Sequence, residues 1–361
     1  MTEIVWPDSL VREVADRRCI LFLGSGVSAS AVADDGSHPK TWSEFLTAAL
    51  TLIKDAKQKA IIAEHVEKDQ YLIALEAIAD ASDPGDYSKL LNDCFNTLKF
   101  KPADLHKIIY NLDARIVVTT NFDKIYEQYW TDFSEQGFKV INYDDESIGD
   151  EIRSDNRLII KSHGSINNVQ KMIFTRAEYH AAKSDYPSFY EILRALFLTN
   201  TAIFIGCGMQ DPDLLLTLEE VKISSSAKRP HYALLREGTT GPYVLRDLKK
   251  SYNVQALEYG PGHDELANSL AGLLGSVESI RAIGVTAQGV EDAPEDLEDA
   301  ETALAALVAA PVVAQQVGNR VVHQKFGAGT VTSIDGPKLT IEFDEGDVKQ
   351  VIHTFVTAEP G

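Results

Sequence analysis

Four short apolar runs in this 361-residue chain each stop at a cluster of small or polar residues, and that pattern restricts the fold more than any other. Cys19 to Leu23 leads into Gly24-Ser25-Gly26-Val27-Ser28, and Ile116 to Val118 leads into Thr119-Thr120-Asn121-Phe122-Asp123. Leu158 to Ile160 leads into Lys161-Ser162-His163-Gly164, and Ala202 to Ile205 into Gly206-Cys207-Gly208 with Asp211-Pro212-Asp213 beyond. In an open parallel sheet, ligands bind beyond the carboxyl ends of the strands. Four such ends carrying Gly, Asn and His therefore point to one pocket.

The segments between the runs complete the architecture. From about Ser43 to Asp113 apolar residues recur at helical spacing, with one stripe at Tyr71, Leu72, Leu75, Ile78 and Ala79 and another at Leu90, Leu91, Cys94, Phe95 and Leu98. This reads as a helical insertion over about 43–113, a layer that covers the pocket or packs against a sister subunit. From Arg115 to Leu274 strands and helices alternate, with further strands at Tyr232 to Leu235 and Val254 to Tyr259 and a helix from about Asp264 to Leu274. Such alternation produces a doubly wound parallel sheet, because parallel strands need helical crossovers. Residues 291–301 then hold seven acidic side chains in eleven, followed by an alanine-rich run to Ala310. A stretch with so little apolar surface does not fold alone, so 276–316 is expected to be a solvated helix or linker. The last 45 residues, 317–361, hold short strand patterns punctuated by glycine and are expected to form a small five-stranded barrel. The fold class is therefore α/β, a doubly wound sheet domain over 1–275 with a helical insertion and a small C-terminal all-β barrel.

Composition excludes several functions. No apolar stretch approaches the roughly 20 residues that span a bilayer, and MTEIVWPDSL lacks the regions of a signal peptide. A cytoplasmic protein without membrane contact is expected. Cys19, Cys94 and Cys207 are isolated and odd in number, which supplies neither a disulfide framework nor a thiolate zinc site. A net charge of -20 argues against a chain whose main business is gripping nucleic acid by its phosphates. No G-x-x-x-x-G-K-[ST] occurs, so the chain carries no ATPase phosphate loop of that type.

Each cluster admits a chemical and a structural reading. Gly24 and Gly26 let phosphate oxygens approach backbone N–H groups at a helix start, or they make a tight turn. The spacing is GxGxS rather than GxGxxG, and no acidic residue clearly closes a second strand as a dehydrogenase NAD site requires. Asn121 and Asp123 are placed to bond a ribose and a carboxamide, or to cap the helix that begins near Lys124. His163 stands at a strand end with Gly164 beside it, as a proton acceptor or a structural imidazole. Asp211 and Asp213 are helix caps or ligand contacts.

The order GSGVS, TTNFD, SHG, GCG, each after an apolar strand, resembles the sirtuin order GAGxS, QNxD, HG, GTS, and within that fold the bacterial branch associated with antiphage defence. The resemblance covers about residues 15–275 and implies a sirtuin-like variant of the Rossmann sheet. It implies that Gly24, Ser25, Gly26 and Ser28 face the NAD diphosphate, and that Asn121 and Asp123 hold the nicotinamide ribose and carboxamide. Thr120 stands where deacylating sirtuins have glutamine, and with Gly164 it joins the binding residues. By the same match His163 is the general base, while Gly206, Cys207 and Gly208 lie against the adenosine half.

The departures matter as well. Deacylating sirtuins carry a four-cysteine zinc module that three scattered cysteines cannot supply, and their GIPDFR stretch is replaced by Ala29 to Lys40. The expectation is thus an NAD glycohydrolase that releases nicotinamide and ADP-ribose without a metal, acting as a regulated abortive-infection effector. Alternatives are an NAD-dependent protein deacylase lacking the zinc module and a non-catalytic NAD or ADP-ribose sensor. The resemblance also implies a homo-oligomer and, in some members, a HerA-type ATPase or other sensor as partner. Residues from Gly318 onward, with Phe326-Gly327-Ala328-Gly329-Thr330-Val331 at their centre, resemble the Tudor-like or SH3-like module that ends UvrD-type helicases. That module implies docking to protein or nucleic acid, with Arg320, Lys325 and Lys349 as a modest basic patch.

Overall fold

The computed structural model describes residues 4–288, apart from 69, 97–98, 134–137, 226–227 and 263, and residues 317–358, apart from 324–325, 336–337, 345, 347 and 353–355. The chain divides into two compact units, Met1–Gly289 and Val290–Gly361. The first begins with helix α1 (Asp8–Ala15), strand β1 (Cys19–Leu23), the single turn α2 (Ser25–Ser28) and β2 (Val32–Ala33). Then come α3 (Trp42–Ala49), α4 (Ala56–Glu67), α5 (Tyr71–Ala81), α6 (Pro84–Phe95), β3 (Phe100–Lys101) and α7 (Asp104–Asn111). Next are β4 (Ile116–Thr119), α8 (Ile125–Phe133), β5 (Phe138–Asn142), α9 (Ile148–Arg153), β6 (Arg157–Lys161), α10 (Arg176–Asp185) and α11 (Pro187–Thr199). The unit closes with β7 (Thr201–Ile205), α12 (Pro212–Ser224), β8 (His231–Arg236), α13 (Pro242–Ser251), β9 (Val254–Tyr259) and α14 (Asp264–Gln288).

Seven of these strands form one sheet in the order β5-β6-β4-β1-β7-β8-β9. Every pairing in it is parallel. The chain steps from β1 to one side and returns after β6 to place β7 on the other, so a topological switch lies at β1. Side chains alternate between two apolar layers, as strand geometry requires. Cys19, Leu21 and Leu23 of β1 pack with α1, α7 and α14, whereas Ile20 and Phe22 pack with the α10 to α13 side. The α/β doubly wound fold expected from the alternation is what the chain forms.

Register matters more for function. Leu23 lies opposite Thr119 on one side and Ile205 on the other, and Thr119 lies opposite Lys161. The four apolar runs therefore end level, on adjacent strands, and the four polar clusters start along one line across the sheet.

Three local features differ from the expectations. The helix after Gly24 is a single turn, so the glycine segment opens no long helix. Helix α14 continues past Leu274 to Gln288. Leu266, Leu270, Leu273 and Val277 keep one buried stripe, and Arg281 then donates to the carbonyls of Val14, Ala15 and Leu112 at the ends of α1 and α7. Carbonyls at helix ends lack the full set of partners of a helix interior, so an arginine there adds donors to them and anchors the extra turns. Strand β5, which no apolar run announced, is a half-buried edge with Lys139 paired to Glu151.

Helices α3 to α6 form the inserted lobe, around Phe45, Leu46, Ala74, Leu75, Ile78, Leu91 and Cys94. The stripes at Leu75 and Ile78 and at Leu91 and Cys94 are buried, and Leu98 lies outside the described residues. Helix α7, within the stretch read as insertion, belongs instead to the sheet's own helix layer through Leu105 and Ile109.

The second unit holds β10 (Arg320–His323), β11 (Gly327–Asp335), β12 (Lys338–Phe343), β13 (Val348–Ile352) and β14 (Val356–Ala358). They pair in one antiparallel sheet in the order β13-β12-β11-β10-β14, around Val321, Val331, Leu339, Ile341 and Phe343. A Cβ on Gly329 would stand 2.7 Å from the Ile341 side chain, so only glycine fits that crossing. Arg320 pairs with Asp344, Lys349 covers the Phe326 ring at 4.4 Å, and Lys325 lies outside the described residues. The acidic and alanine-rich stretch over 289–316 also lies outside them.

Candidate functional site

A cavity of about 550 Å³ opens above the level strand ends. Gly24, Ser25, Ser28, Thr120, Asn121, Asp123, His163, Gly206, Cys207 and Gly208 all line it, so residues from all four clusters meet there. Gly26 and Gly164 are not among its lining residues.

The glycines have a geometric cause. Gly24 N–H donates to Ile205 O at 2.9 Å and Gly26 N–H to Gly206 O at 3.0 Å, which lays the β1 turn on the β7 turn. A Cβ on Gly24 would meet Gly206 O at 2.5 Å, and Gly206 itself has φ +66°. Two backbones thus touch where side chains are excluded, and the cavity floor is main chain. Gly164, at φ +84°, turns the β6 loop against Lys171 O, which a Cβ would approach to 2.4 Å. The Cys207 thiol points away from solvent toward the carbonyls of Phe22 and Ile205, both at 3.6 Å, and burial raises its pKa far above the usual thiol range.

Asn121 is tied into this floor. Its Nδ2 donates to Gly24 O and to Ser28 Oγ, each at 2.9 Å, and its N–H donates to Thr119 Oγ1 at 3.0 Å. Asp123 is buried, and its Oδ1 accepts from Ile125 N–H at 3.0 Å, the capping arrangement at the start of α8.

His163 follows the end of the adjacent strand, β6. Its Nε2 lies 3.7 Å from Asp211 Oδ2. The other Asp211 oxygen caps α12 by accepting from Asp213 N–H at 3.0 Å and Leu214 N–H at 3.3 Å. Burial, with the Asp211 charge adding to it, pushes the Asp213 carboxyl up to about 7, while Arg176 and Lys183 pull it down. The atoms of His163, Asp211 and Asp213 lie within 4.8 Å of one another, a group that could touch a cation. One Asp211 oxygen is already committed to the helix end, which leaves an incomplete ligand set.

Other contributors are not marked by any motif. Trp42, Phe45, Tyr71 and Phe95 of the inserted lobe line the cavity opposite the sheet. Phe174 joins them to the Asn121 loop, with ring centroids 4.4 Å from Phe122 and 5.7 Å from Phe45. The Phe between Asn121 and Asp123 is therefore the contact by which the lobe packs on the site. Lys161, quoted above only as part of a cluster, is buried beneath the Asn121 loop and paired with Glu127. Among the described residues no helix is long and apolar enough to cross a membrane.

Part of the chain is similar to known proteins. Residues 115–257, from the edge of β4 into β9, match the model of the SIR2-like domain, which leaves the β1 turn and the lobe outside the match. A protein of Enterococcus faecium named NAD(+) hydrolase ThsA is 26% identical over 155 residues, 42% of this chain and 32% of that protein. Proteins of the same name from Cytobacillus dafuensis and Acinetobacter baumannii (strain 532279) are 24% identical over 225 residues and 23% over 249. These cover 62% and 68% of this chain and 42% and 48% of the relatives. The chain thus spans about a third to a half of the length of the curated relatives it matches.

Proposed function

We propose that this chain hydrolyses the nicotinamide glycosidic bond of NAD, releasing nicotinamide and ADP-ribose. The observation that carries the reading is the convergence of Asn121 and His163, from the ends of two adjacent strands, on one cavity with a main-chain glycine floor. The SIR2-like match and the name shared by the relatives support it.

The chemistry follows from the bond. Departure of nicotinamide with the electron pair of the C–N bond leaves an oxocarbenium-like ribose, which oriented polar groups stabilise. Asn121 positions the attacking water or a ribose hydroxyl. His163 accepts the proton that water loses as its oxygen bonds to the ribose, drawing it through that hydroxyl. Ser25 and Ser28 serve the diphosphate through their hydroxyls, while Gly24 and Gly26, whose N–H groups are held by Ile205 O and Gly206 O, give the close main-chain turn on which it rests. Thr120 and Asp123 serve the nicotinamide ribose region, and Gly164 holds the His163 turn. Gly206, Cys207 and Gly208 serve the adenosine half by main chain, since the Cys207 thiol faces inward. NAD is the substrate, and no step uses a metal. Nothing in the cavity favours deacylation: Cys19 and Cys94 are buried and Cys207 is half-buried, each a free thiol.

We read the activity as that of a regulated antiphage effector in the cytoplasm, because unregulated NAD loss is toxic. The lobe, the acidic stretch and the C-terminal sheet are the control elements available. Homo-oligomerisation, a HerA-type ATPase or other sensor partner, and docking through a Tudor-like C-terminal module belong to this proposal.

The test is NAD loss and nicotinamide release by purified protein, wild type beside Asn121→Ala, with and without lysate from phage-infected cells. Release that requires Asn121 is the expected result. Silence in both conditions with NAD binding retained would move the reading to a sensor.

A further inference from the structure

One buried lysine touches the turns that carry both candidate catalytic side chains. Lys161 ends β6, and its side chain is 1% exposed. Its ammonium pairs with Glu127 Oε1 at 2.7 Å and donates to Asn121 O at 3.1 Å and to Asp123 O. Every one of these acceptors comes from the loop and helix that follow β4. On its own strand, Lys161 O accepts from Gly164 N–H at 3.4 Å, and the next residue, Ser162, donates its N–H to Thr119 O at 2.9 Å. The residue after Ser162 is His163.

Stability alone does not account for a lysine here. A buried ion pair is a poor stabiliser compared with apolar side chains of the same volume, because desolvation consumes most of the attraction. What the ammonium supplies is direction. Two carbonyls of the loop, Asn121 and Asp123, turn inward to it, and the Asn121 carboxamide is left facing Gly24 and Ser28 at the cavity floor. A methylene chain in that place would fill space without orienting either peptide.

We propose that Lys161 is a positioning residue, which fixes the Asn121 peptide against the His163 turn so that both side chains meet the same substrate. The inference rests on the NAD-cleavage reading for its kinetic consequence and on geometry alone for its structural one. Glu127 serves it as counter-ion.

The experiment uses the full chain with Lys161→Met and Glu127→Leu combined, so that Glu127 is not left buried without its counter-ion. The double variant is expected to melt within a few degrees of wild type. Its kcat falls about 30-fold or more, the scale of a misplaced catalytic group, while KM stays within about threefold. A second variant, Lys161→Gln with Glu127→Gln, keeps an N–H donor near the loop carbonyls and is expected to recover part of the lost kcat. A folded double variant with wild-type kcat would overturn the proposal. Should the wild type release no nicotinamide under any trigger, the cleavage reading falls, and amide hydrogen exchange decides Lys161 separately. Faster exchange confined to the 120–125 and 162–164 amides supports it, and unchanged exchange there overturns it.

Discussion

The two walls of the cavity are held in different ways. On the wall with Asn121, the side chain, the amide and the carbonyl all have partners, in Gly24, Ser28, Thr119 and Lys161. On the wall with His163, the backbone carbonyl accepts from Ile173 N–H at 2.9 Å, but the ring stands 3.7 Å from Asp211, beyond hydrogen-bond distance. One wall is finished before substrate arrives. The other has its partner near but not yet engaged, the state in which catalytic hydrogen bonds tighten only on binding. The difference teaches where to look for regulation: a trigger acts most easily on the wall that is still open.

Substitutions of the two candidate catalytic residues give the largest test of this contrast. His163→Ala and Asn121→Ala should each lower NAD turnover by about 100-fold or more. They should part in stability. Asn121→Ala loses two side-chain hydrogen bonds that join β4 to the floor, for about 1–2 kcal/mol, whereas His163→Ala leaves the melting temperature nearly unchanged. Equal melting temperatures would break the comparison.

Gly24→Ala probes the finished wall from below. The new Cβ would lie 2.5 Å from Gly206 O and 2.8 Å from Cys207 Sγ, so the β1 and β7 turns must separate. Overpacking of this kind costs about 1–3 kcal/mol, and denaturant unfolding should show it together with weaker NAD binding. An alanine accepted without loss would mean that the floor is looser than its contacts.

Asp211→Asn probes the open wall. Asparagine still caps α12, so the fold is kept while the charge beside His163 is removed. A drop of about tenfold in kcat is expected, smaller than the roughly 100-fold or more for losing the base itself, with KM little changed. A kcat equal to wild type would show that Asp211 is a cap and nothing more.

The finished wall was also the more legible one in the sequence. Gly24, Asn121 and Gly206 follow unbroken apolar runs, and those runs are readable because strands buried on both faces need no polar alternation. Their convergence needed only a parallel sheet with level strand ends. Lys161 was not legible, because a lysine at a strand end reads as solvated. Its acceptors lie about forty residues earlier at Asn121, Asp123 and Glu127, and only the pairing of Thr119 with Lys161 brings them together. Asp211 was readable as a cap, but its second oxygen finds His163 only in the folded chain. The lobe was visible as helices, yet its aromatic contact with Phe122, made directly by Phe95 and backed by Phe174, joins residues far apart in the chain.

The smallest effect is expected from Asp213, and its size with and without the Asp211 charge separates burial from charge on the open wall. Its carboxyl is pushed up from 3.8 to about 7, first by burial and then by Asp211. A carboxyl whose folded pKa exceeds its unfolded one contributes stability in full below the unfolded value and loses it as pH rises through the folded value. Wild type should therefore weaken between about pH 4 and pH 7 relative to Asp213→Asn, which does not titrate. With solvent screening of this half-exposed group, melting at pH 8 should favour the variant by about 2–4 °C relative to the difference at pH 4. In an Asp211→Asn background the same shift should shrink, because the second of its two causes has gone. A shift that stays the same size would assign Asp213 to burial alone, and would leave the carboxylate beside His163 with no electrical link to its neighbour.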